Sequence, residues 1–188
     1  MDTRQRLLDA TRELLWQRGY AATSPNAIMK AARAGQGSLY HHFAGKEDLA
    51  AEALRGSAEQ LREEAAAILD GEGSPAERIE RYLTRERDSL RGCRIGRMTA
   101  DADVLTSDRL RQPVSETLAW LVDRLAGLIA DAQAAGELRA DLDPRATASC
   151  VASTVQGGYV LARAAGSTEP FDQAITGAVQ LLRGAMVG

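Results

Sequence analysis

Apolar residues recur at helical spacing along nearly the whole chain. At the start, a helix over residues 3–18 is predicted by an apolar stripe of Leu7, Leu8, Thr11, Leu14 and Leu15. No segment of any length alternates between apolar and polar residues with the period of two that a strand requires. The pattern therefore predicts an all-α protein.

Two short helices are expected next, joined by only a few residues. Ser24 can cap a helix whose first position is Pro25 and which ends near Ala32. A second short helix, within residues 35–43, has Leu39 and Phe43 on one face. A helix this short is not stable alone and must be held by neighbours. Two such helices in succession predict a helix-turn-helix unit.

Longer helices are predicted over the rest of the chain. Glycine, proline and capping residues separate the apolar stripes, and the glycine-rich residues 71–75 form the clearest linker. The expected helices cover residues 46–70, 75–90, approximately 97–105, a long segment that starts at Pro113, 146–165 and 171–187. Inward positions include Leu90 in the second of these helices and Met186 in the last.

Composition changes this picture little, whereas the distribution of charge adds to it. Of 188 residues, 45% are hydrophobic and 26% charged, as in an ordinary globular protein, and the net charge is −3. Residues 1–55 carry eight basic and six acidic residues, so this part is net positive while the remainder is net negative. The excess of basic residues is small and is compatible with a nucleic-acid partner.

Cysteine usage and the N-terminus predict a cytoplasmic protein. Cys93 and Cys150 lie far apart and form no metal-binding or disulfide pattern. The N-terminal residues lead directly into the amphipathic pattern, and no apolar run reaches the about 18 residues of a membrane helix. Cys93 is interpreted as a small buried residue, with a redox-sensing thiol as the alternative.

A pattern in several parts within the first 50 residues resembles the TetR family of transcriptional repressors. It consists of residues 19–24, Ile28, residues 31–32, residues 37–43 and residues 46–49, which read GYAATS, I, AA, GSLYHHF and KEDL. The segments 135–139 and 143–144 are also similar to the family. Residues 92–96, with Gln156 and Gly157, resemble the branch that contains lincomycin- and flavonoid-responsive repressors.

The resemblance implies a DNA-binding domain at residues 1–45 and a ligand-binding and dimerisation domain at residues 46–188, with residues 46–70 as the linking helix. It implies a repressor that binds a near-palindromic double-stranded operator as a homodimer and is released by a small-molecule effector. No cofactor or metal is expected. The implied DNA-binding residues are Ser24, Pro25, Asn26, Gln36, Gly37, Ser38, Tyr40, His41, His42 and Lys46.

Within this set, the residues divide by chemistry. Gln36 can form a bidentate pair with adenine, whereas Gly37 permits close approach without reading a base. Lys46, at the start of a helix, suits a phosphate. The resemblance implies that Gln36, Gly37, Ser38 and His41 face base edges and that Tyr40, His42 and Lys46 contact the DNA backbone.

Two further sets of residues are implied for the second domain. The ligand pocket is expected at Tyr82, Cys93, Met98, Leu121, Leu125 and Tyr159. The dimer interface is expected on the last two helices, at Ala148, Ala152, Val155, Tyr159, Ile175, Val179 and Leu182. The same aromatic and aliphatic residues, at helical spacing, would also be typical of an ordinary core.

Two positions depart from the family pattern, and two other functions remain open. Arg33 stands where a turn glycine is usual, and Gly35 replaces a Ser or Thr cap. These changes leave room for a TetR-like partner subunit that has lost DNA binding. A helical-bundle enzyme is the other alternative, but residues 75–188 contain no histidine. His41 and His42 are adjacent on a helix and therefore point about 100° apart, which disfavours a shared metal.

Overall fold

The computed structural model describes residues 2–187, which form an all-α protein as predicted. Within these residues no named strand occurs, and no helix is long and apolar enough to cross a membrane. The helices are α1 (Thr3–Arg18), α2 (Pro25–Ala32), α3 (Gln36–His42), α4 (Lys46–Leu69), α5 (Pro75–Thr84), a 3-10 helix (Gly96–Ala100), α6 (Ala102–Thr106), α7 (Asp108–Ala134), α8 (Pro144–Ala165) and α9 (Glu169–Gly184).

The chain packs into two compact units, each made of two separate stretches of sequence. The first unit comprises residues 1–61 and 93–118, and the second comprises residues 62–92 and 119–188. Helices α4 and α7 each continue from one unit into the other. The predicted boundary between functional domains, at residues 45 and 46, stays a prediction about function.

The first unit has one core that both of its stretches share. Leu7, Leu15 and Ile28 of the N-terminal helices are buried in the same cluster as Met98 and Val104. Leu110 and Val114 of α7 also belong to this cluster. The N-terminal helices therefore do not bury their apolar faces alone, because residues 95–114 close their core.

In the second unit, α8 packs against α9, and α5 also packs against α9. Asp143 caps α8 by accepting a hydrogen bond from the amide of Ala146, as the sequence predicts. A capping box of Ser74 and Glu77 starts α5, and Arg183 of α9 forms an ion pair with Glu80 of α5. The ion pair joins distant parts of the chain within this unit, whereas the two caps are local.

The prediction that α5 continues to Leu90 is wrong. The helix ends at Thr84, Arg85 adopts an extended backbone, and Leu90 is 44% exposed instead of inward. The guanidinium group of Arg87 donates hydrogen bonds to the carbonyl groups of Tyr82, Leu83 and Arg85. A side chain thus satisfies the carbonyl groups that end the helix, which is why the chain can leave it here.

The prediction that Pro113 starts the long helix is also wrong, because α7 begins five residues earlier. Ser107 caps α7: its hydroxyl group accepts a hydrogen bond from the amide of Leu110 at 3.3 Å. Pro113 lies inside the helix, where it cannot donate to the carbonyl four residues before it. Leu110 and Val114, on either side of Pro113, are buried in the core of the first unit, and this packing stabilises the first turns of α7 despite the missing bond.

Smaller differences affect the other boundaries. The helix expected near residues 97–105 is divided at Asp101 into the 3-10 helix and α6. The last helix ends at Gly184, so Met186, predicted to point inward, is 44% exposed and forms an isolated antiparallel bridge with Leu138. The amide of Val187 donates to the carbonyl of Glu137 at 3.0 Å, and this pairing ends the helix.

Candidate DNA-binding surface

Helices α2 and α3 form a helix-turn-helix, with residues 33–35 between them. The hydroxyl group of Ser24 accepts a hydrogen bond from the amide of Ala27 at 3.2 Å, and Pro25 occupies the first helical turn. The predicted start of α2 is therefore confirmed, with the serine cap and the proline in the roles their chemistry favours.

The turn keeps its geometry although it lacks the usual glycine. Arg33 has φ 50° and ψ 47°, and within residues 2–187 it is the one residue other than glycine with positive φ. The amide of Ala34 donates to the carbonyl of Met29 at 3.0 Å, closing the end of α2. Gly35 precedes α3 without a side-chain cap. The left-handed turn thus forms with arginine, at a conformational cost.

Helix α3 is held by one apolar face. Leu39 and Phe43 are buried, as predicted, and the guanidinium group of Arg4 lies 5.3 Å from the centre of the Phe43 ring. The opposite side faces solvent: Gln36, Gly37 and His41 are exposed, and Tyr40 is 54% exposed. The structure therefore leaves the predicted base-reading side of α3 open.

The remaining predicted contact residues also lie at the surface. Ser24 and Asn26 are exposed, while Pro25, Ser38, His42 and Lys46 are half-buried. A methyl group added at Gly37 would meet no atom within 4 Å, so the space outside this glycine is open. The contacts of these ten residues with DNA stay predictions.

Lys46 and Tyr20 form a pair next to α3. The ammonium nitrogen of Lys46 lies 3.8 Å from the centre of the Tyr20 ring, a cation–π contact of about 0.5–2 kcal/mol. Burial lowers the pKa of Lys46, and the nearby carboxylates of Asp103 and Asp101 act in the opposite direction. Burial, followed by Glu47 and these two carboxylates, raises the pKa of Tyr20. The ring therefore fixes the direction of a cation at the start of α4.

The charge pattern around these helices is one-sided. Residues 14–46 contain no aspartate or glutamate, but they do contain Arg18, Lys30, Arg33 and Lys46. The first acids that follow are already engaged: Glu47 accepts a hydrogen bond from Ser107, and Asp48 pairs with Arg109. Residues 14–46 thus offer the phosphate backbone of DNA four cations and no carboxylate of their own, while Asp101 and Asp103 lie near Lys46.

The adjacent histidines make a ring contact with each other. The centres of the His41 and His42 rings lie 4.9 Å apart at an interplanar angle of 67°. Across residues 2–187, no group of three or more His, Cys, Asp or Glu side chains is arranged to hold a metal ion. The two rings are thus available as hydrogen-bonding groups at the edge of α3.

Three residues at this surface were missed by sequence reasoning. Asp101 accepts hydrogen bonds from the amides of Tyr20 and Ala21. Arg97 donates to the carbonyl of Trp16 at 2.6 Å, and the guanidinium group of Arg94 lies 4.1 Å from the Trp16 ring. About 80 residues separate the partners, so no local pattern could have revealed them.

The residues predicted for a ligand pocket are divided between the two units. Tyr82, Leu121, Leu125 and Tyr159 belong to the second unit, where all four are buried. The Tyr159 ring stacks on Phe171 at 4.9 Å. Cys93 and Met98 belong to the first unit. Met98 is fully buried, and the half-buried Cys93 has a thiol that accepts from the amide of Gly96 at 3.2 Å. Their common pocket stays a prediction.

The residues predicted for a dimer interface are all buried within the single chain. Each is at most 9% exposed, and α8 and α9 pack against each other: the residues are Ala148, Ala152, Val155, Tyr159, Ile175, Val179 and Leu182. The outer side of the same helices exposes large apolar residues instead: Val160 at 67%, Leu161 at 55% and Leu181 at 76%.

The fold and this surface define the class: an all-α transcriptional regulator with an N-terminal helix-turn-helix. Residues 7–53 match the family described as bacterial regulatory proteins, tetR family, and residues 75–178 match the tetracyclin repressor-like C-terminal domain. The chain belongs to the TetR family.

Individual relatives agree with this assignment. The chain is 27% identical to the HTH-type transcriptional repressor DhaR of a Mycobacterium species, over 92% of this chain and 88% of the relative. It is 33% identical to the transcriptional regulator AcuR of Cereibacter sphaeroides, over 77% and 68%. A crystal structure of a regulatory protein TetR from Rhodobacter sphaeroides superposes with a TM-score of 0.81, at 28% identity, over 97% of this chain and 98% of that chain.

Proposed function

We propose that this TetR-family regulator is a repressor that binds a near-palindromic DNA operator as a homodimer and is released by a small-molecule effector. The observation that carries the proposal is the exposed side of α3, within 33 residues that contain no acid. A recognition helix needs such a face to enter the major groove of DNA.

In this proposal, the ten surface residues divide into readers, which hydrogen-bond to base edges, and anchors, which contact phosphates; Gly37 belongs to neither group. Gln36, Ser38 and His41, with Asn26 from α2, provide the groups that can hydrogen-bond to base edges. Tyr40, His42 and Lys46 contact phosphates, as do Ser24 and Pro25 at the start of α2. Gly37 allows the backbone of α3 to approach the bases closely.

Dimerisation is assigned to the outer side of α8 and α9. No charged residue occurs between Arg145 and Arg163, and the exposed positions of this stretch include Ser149, Cys150, Ser153, Gly157, Val160 and Leu161. With Leu181 on α9, they form an uncharged outer face. The occupant we propose is a second copy of this chain, because two-fold symmetry would present two copies of α3 to the two halves of a palindrome.

Release would follow from an effector that binds one conformation better than another. A ligand shifts such an equilibrium only by its differential affinity for the two states. Helix α4, which begins at Lys46 and continues into the second unit, is the element through which we propose that the spacing of the two recognition helices changes.

The test is selection of duplexes from a random-sequence pool by the purified full-length chain, followed by footprinting and sedimentation of the complex. We expect a symmetric site bound by two chains. Equal binding to all duplexes, or no DNA binding at all, would contradict the proposal, and the latter result would favour a partner subunit without DNA binding. Candidate effectors are those that raise the melting temperature and release the selected duplex.

A further inference from the structure

Asp101 connects two parts of the first unit that are far apart in sequence. One of its carboxylate oxygens, Oδ2, accepts hydrogen bonds from the amides of Tyr20 at 2.7 Å and Ala21 at 2.8 Å. The other oxygen, Oδ1, accepts from the amide of Asp103 at 3.2 Å and so caps α6. A single side chain thus joins the start of α6 to the loop between α1 and α2.

The backbone of that loop is shaped around this carboxylate. Gly19 has φ 84° and ψ 177°, a conformation that essentially only glycine adopts. A methyl group at Gly19 would lie 3.0 Å from Oδ2 of Asp101. The hydroxyl group of Thr23 donates to the carbonyl of Gly19 at 2.7 Å, and Ser24 then caps α2. The carboxylate of Asp101 therefore helps to set where α2 begins.

The same loop carries the ring that directs Lys46. The amide held by Asp101 belongs to Tyr20, whose ring lies 3.8 Å from the ammonium nitrogen of Lys46. If the loop moved, the Tyr20 ring would move with it, and the flexible side chain of Lys46 would lose the contact that orients it. Asp101 and Lys46 are thus linked through Tyr20.

We propose that Asp101 is a positioning residue for DNA binding, which holds the α1–α2 loop and, through Tyr20, directs the ammonium group of Lys46 toward a DNA phosphate. This inference rests on the proposed function of the surface. It makes a prediction opposite in sign to that of charge alone. Removal of an acid beside a DNA-binding surface should strengthen binding, whereas loss of a positioning group should weaken it.

The neighbouring acid provides a matched control. Asp103 is exposed, and like Asp101 its carboxylate raises the pKa of Lys46. The amides of Tyr20 and Ala21, however, donate to Asp101. The variants D101A and D103A each remove one negative charge from the same region. Only D101A also removes the acceptor of all three hydrogen bonds, whereas the oxygen of an asparagine could still accept from both loop amides.

The experiment measures the affinity of the full-length variants for the duplex selected with the unaltered chain, as a function of salt. We expect D103A to bind as tightly as the unaltered chain or more tightly, and D101A to bind about tenfold more weakly. The magnitude of the slope of log affinity against log salt should fall by about 0.9 in D101A, as for one lost phosphate contact. In the background of K46A, the D101A substitution should have a much smaller effect.

Amide hydrogen exchange tests the loop without DNA. In D101A we expect faster exchange at Tyr20 and Ala21, while the amide of Leu39 in α3 keeps its protection and shows that the fold is intact. The inference is overturned if both loop amides stay protected in D101A, or if a folded D101A binds as tightly as D103A. Failure of the unaltered chain to select any duplex would instead overturn the proposed function, and with it the role of Asp101 in DNA binding.

Discussion

At the scale of single residues, the turn before the recognition helix shows how a departure from a family pattern is absorbed. Arg33 takes the left-handed conformation that glycine usually takes there, and the backbone hydrogen bond from Ala34 to Met29 still closes α2. A left-handed residue with a side chain costs about 1–2 kcal/mol. The surrounding structure therefore determines the conformation of the turn, and arginine is tolerated at position 33.

Replacement of Arg33 by glycine should stabilise the protein. The relief of the left-handed conformation exceeds the added entropy of an unfolded glycine, so we expect a gain of about 0.5–1 kcal/mol in the free energy of unfolding by urea. Ala31→Gly, two residues earlier within α2, is the matched control and should lose about 0.5–1 kcal/mol. A loss of stability in R33G would show that the arginine side chain makes a stabilising contact.

Readers and anchors can be separated by single substitutions. Tyr40→Phe removes a hydroxyl group assigned to a phosphate and should weaken binding to all duplexes alike. Gln36→Ala should instead relax the preference for one base pair, with a loss of about 1–3 kcal/mol on the selected duplex and little on others. Competition binding against duplexes with each base pair replaced checks both. Uniform weakening in Q36A would remove Gln36 from the set of readers.

At the scale of elements, α3 is a short helix that buries few residues and exposes most of its surface. Seven residues, one buried leucine and a following buried phenylalanine hold it against the core of the first unit. The exposed glycine at position 37 weakens the helix but leaves open space where DNA would come close. Stability and binding should therefore respond in opposite directions at this position.

Gly37→Ala should raise stability by up to about 1 kcal/mol and weaken binding to the selected duplex. The methyl group meets nothing in the free chain, so any loss of binding arises from contact with DNA. Gly127→Ala is the matched control, since this exposed glycine inside α7 also has open space around it. It should stabilise similarly without a change in DNA affinity. Unchanged binding in G37A would place Gly37 away from the bases.

Element boundaries were predicted well where capping groups are adjacent in sequence. Ser24 before α2 and Asp143 before α8 act as expected. The end of α5 could not be predicted, because it depends on hydrogen bonds from the side chain of Arg87 to the last carbonyl groups of the helix. The spacing of apolar residues does not predict such bonds. Ser107 is itself a capping signal for the start of α7, whereas Pro113, which predicts a later start, lies inside the helix.

At the scale of the whole molecule, α8 and α9 each have one side that is buried within the chain and another that is exposed. The predicted interface residues of α8 and α9 are buried within the chain, while the exposed side of these helices presents Val160, Leu161 and Leu181. Helical periodicity identifies apolar positions but does not state which are satisfied within the chain. That distinction requires the packed structure.

Leu181→Glu should shift the protein from dimer toward monomer by at least about tenfold in the dimer dissociation constant, because a charge would be buried twice in a symmetric interface. Sedimentation velocity over a range of concentrations measures the shift, and the far-ultraviolet circular dichroism should not change. Leu105→Glu, at an exposed leucine of α6, is the control and should remain dimeric. A dimeric L181E would place the interface elsewhere.

The sequence by itself determined the all-α fold, most helices, the helix-turn-helix and the family, because periodicity, caps and the motif of the first 50 residues are local signals. Only the tertiary structure decided that residues 93–118 complete the first unit and that Asp101 holds the loop after α1. The physical reason is the separation along the chain. A hydrogen bond between residues 81 positions apart leaves no periodic trace, and it exists only once both segments have packed against a common core.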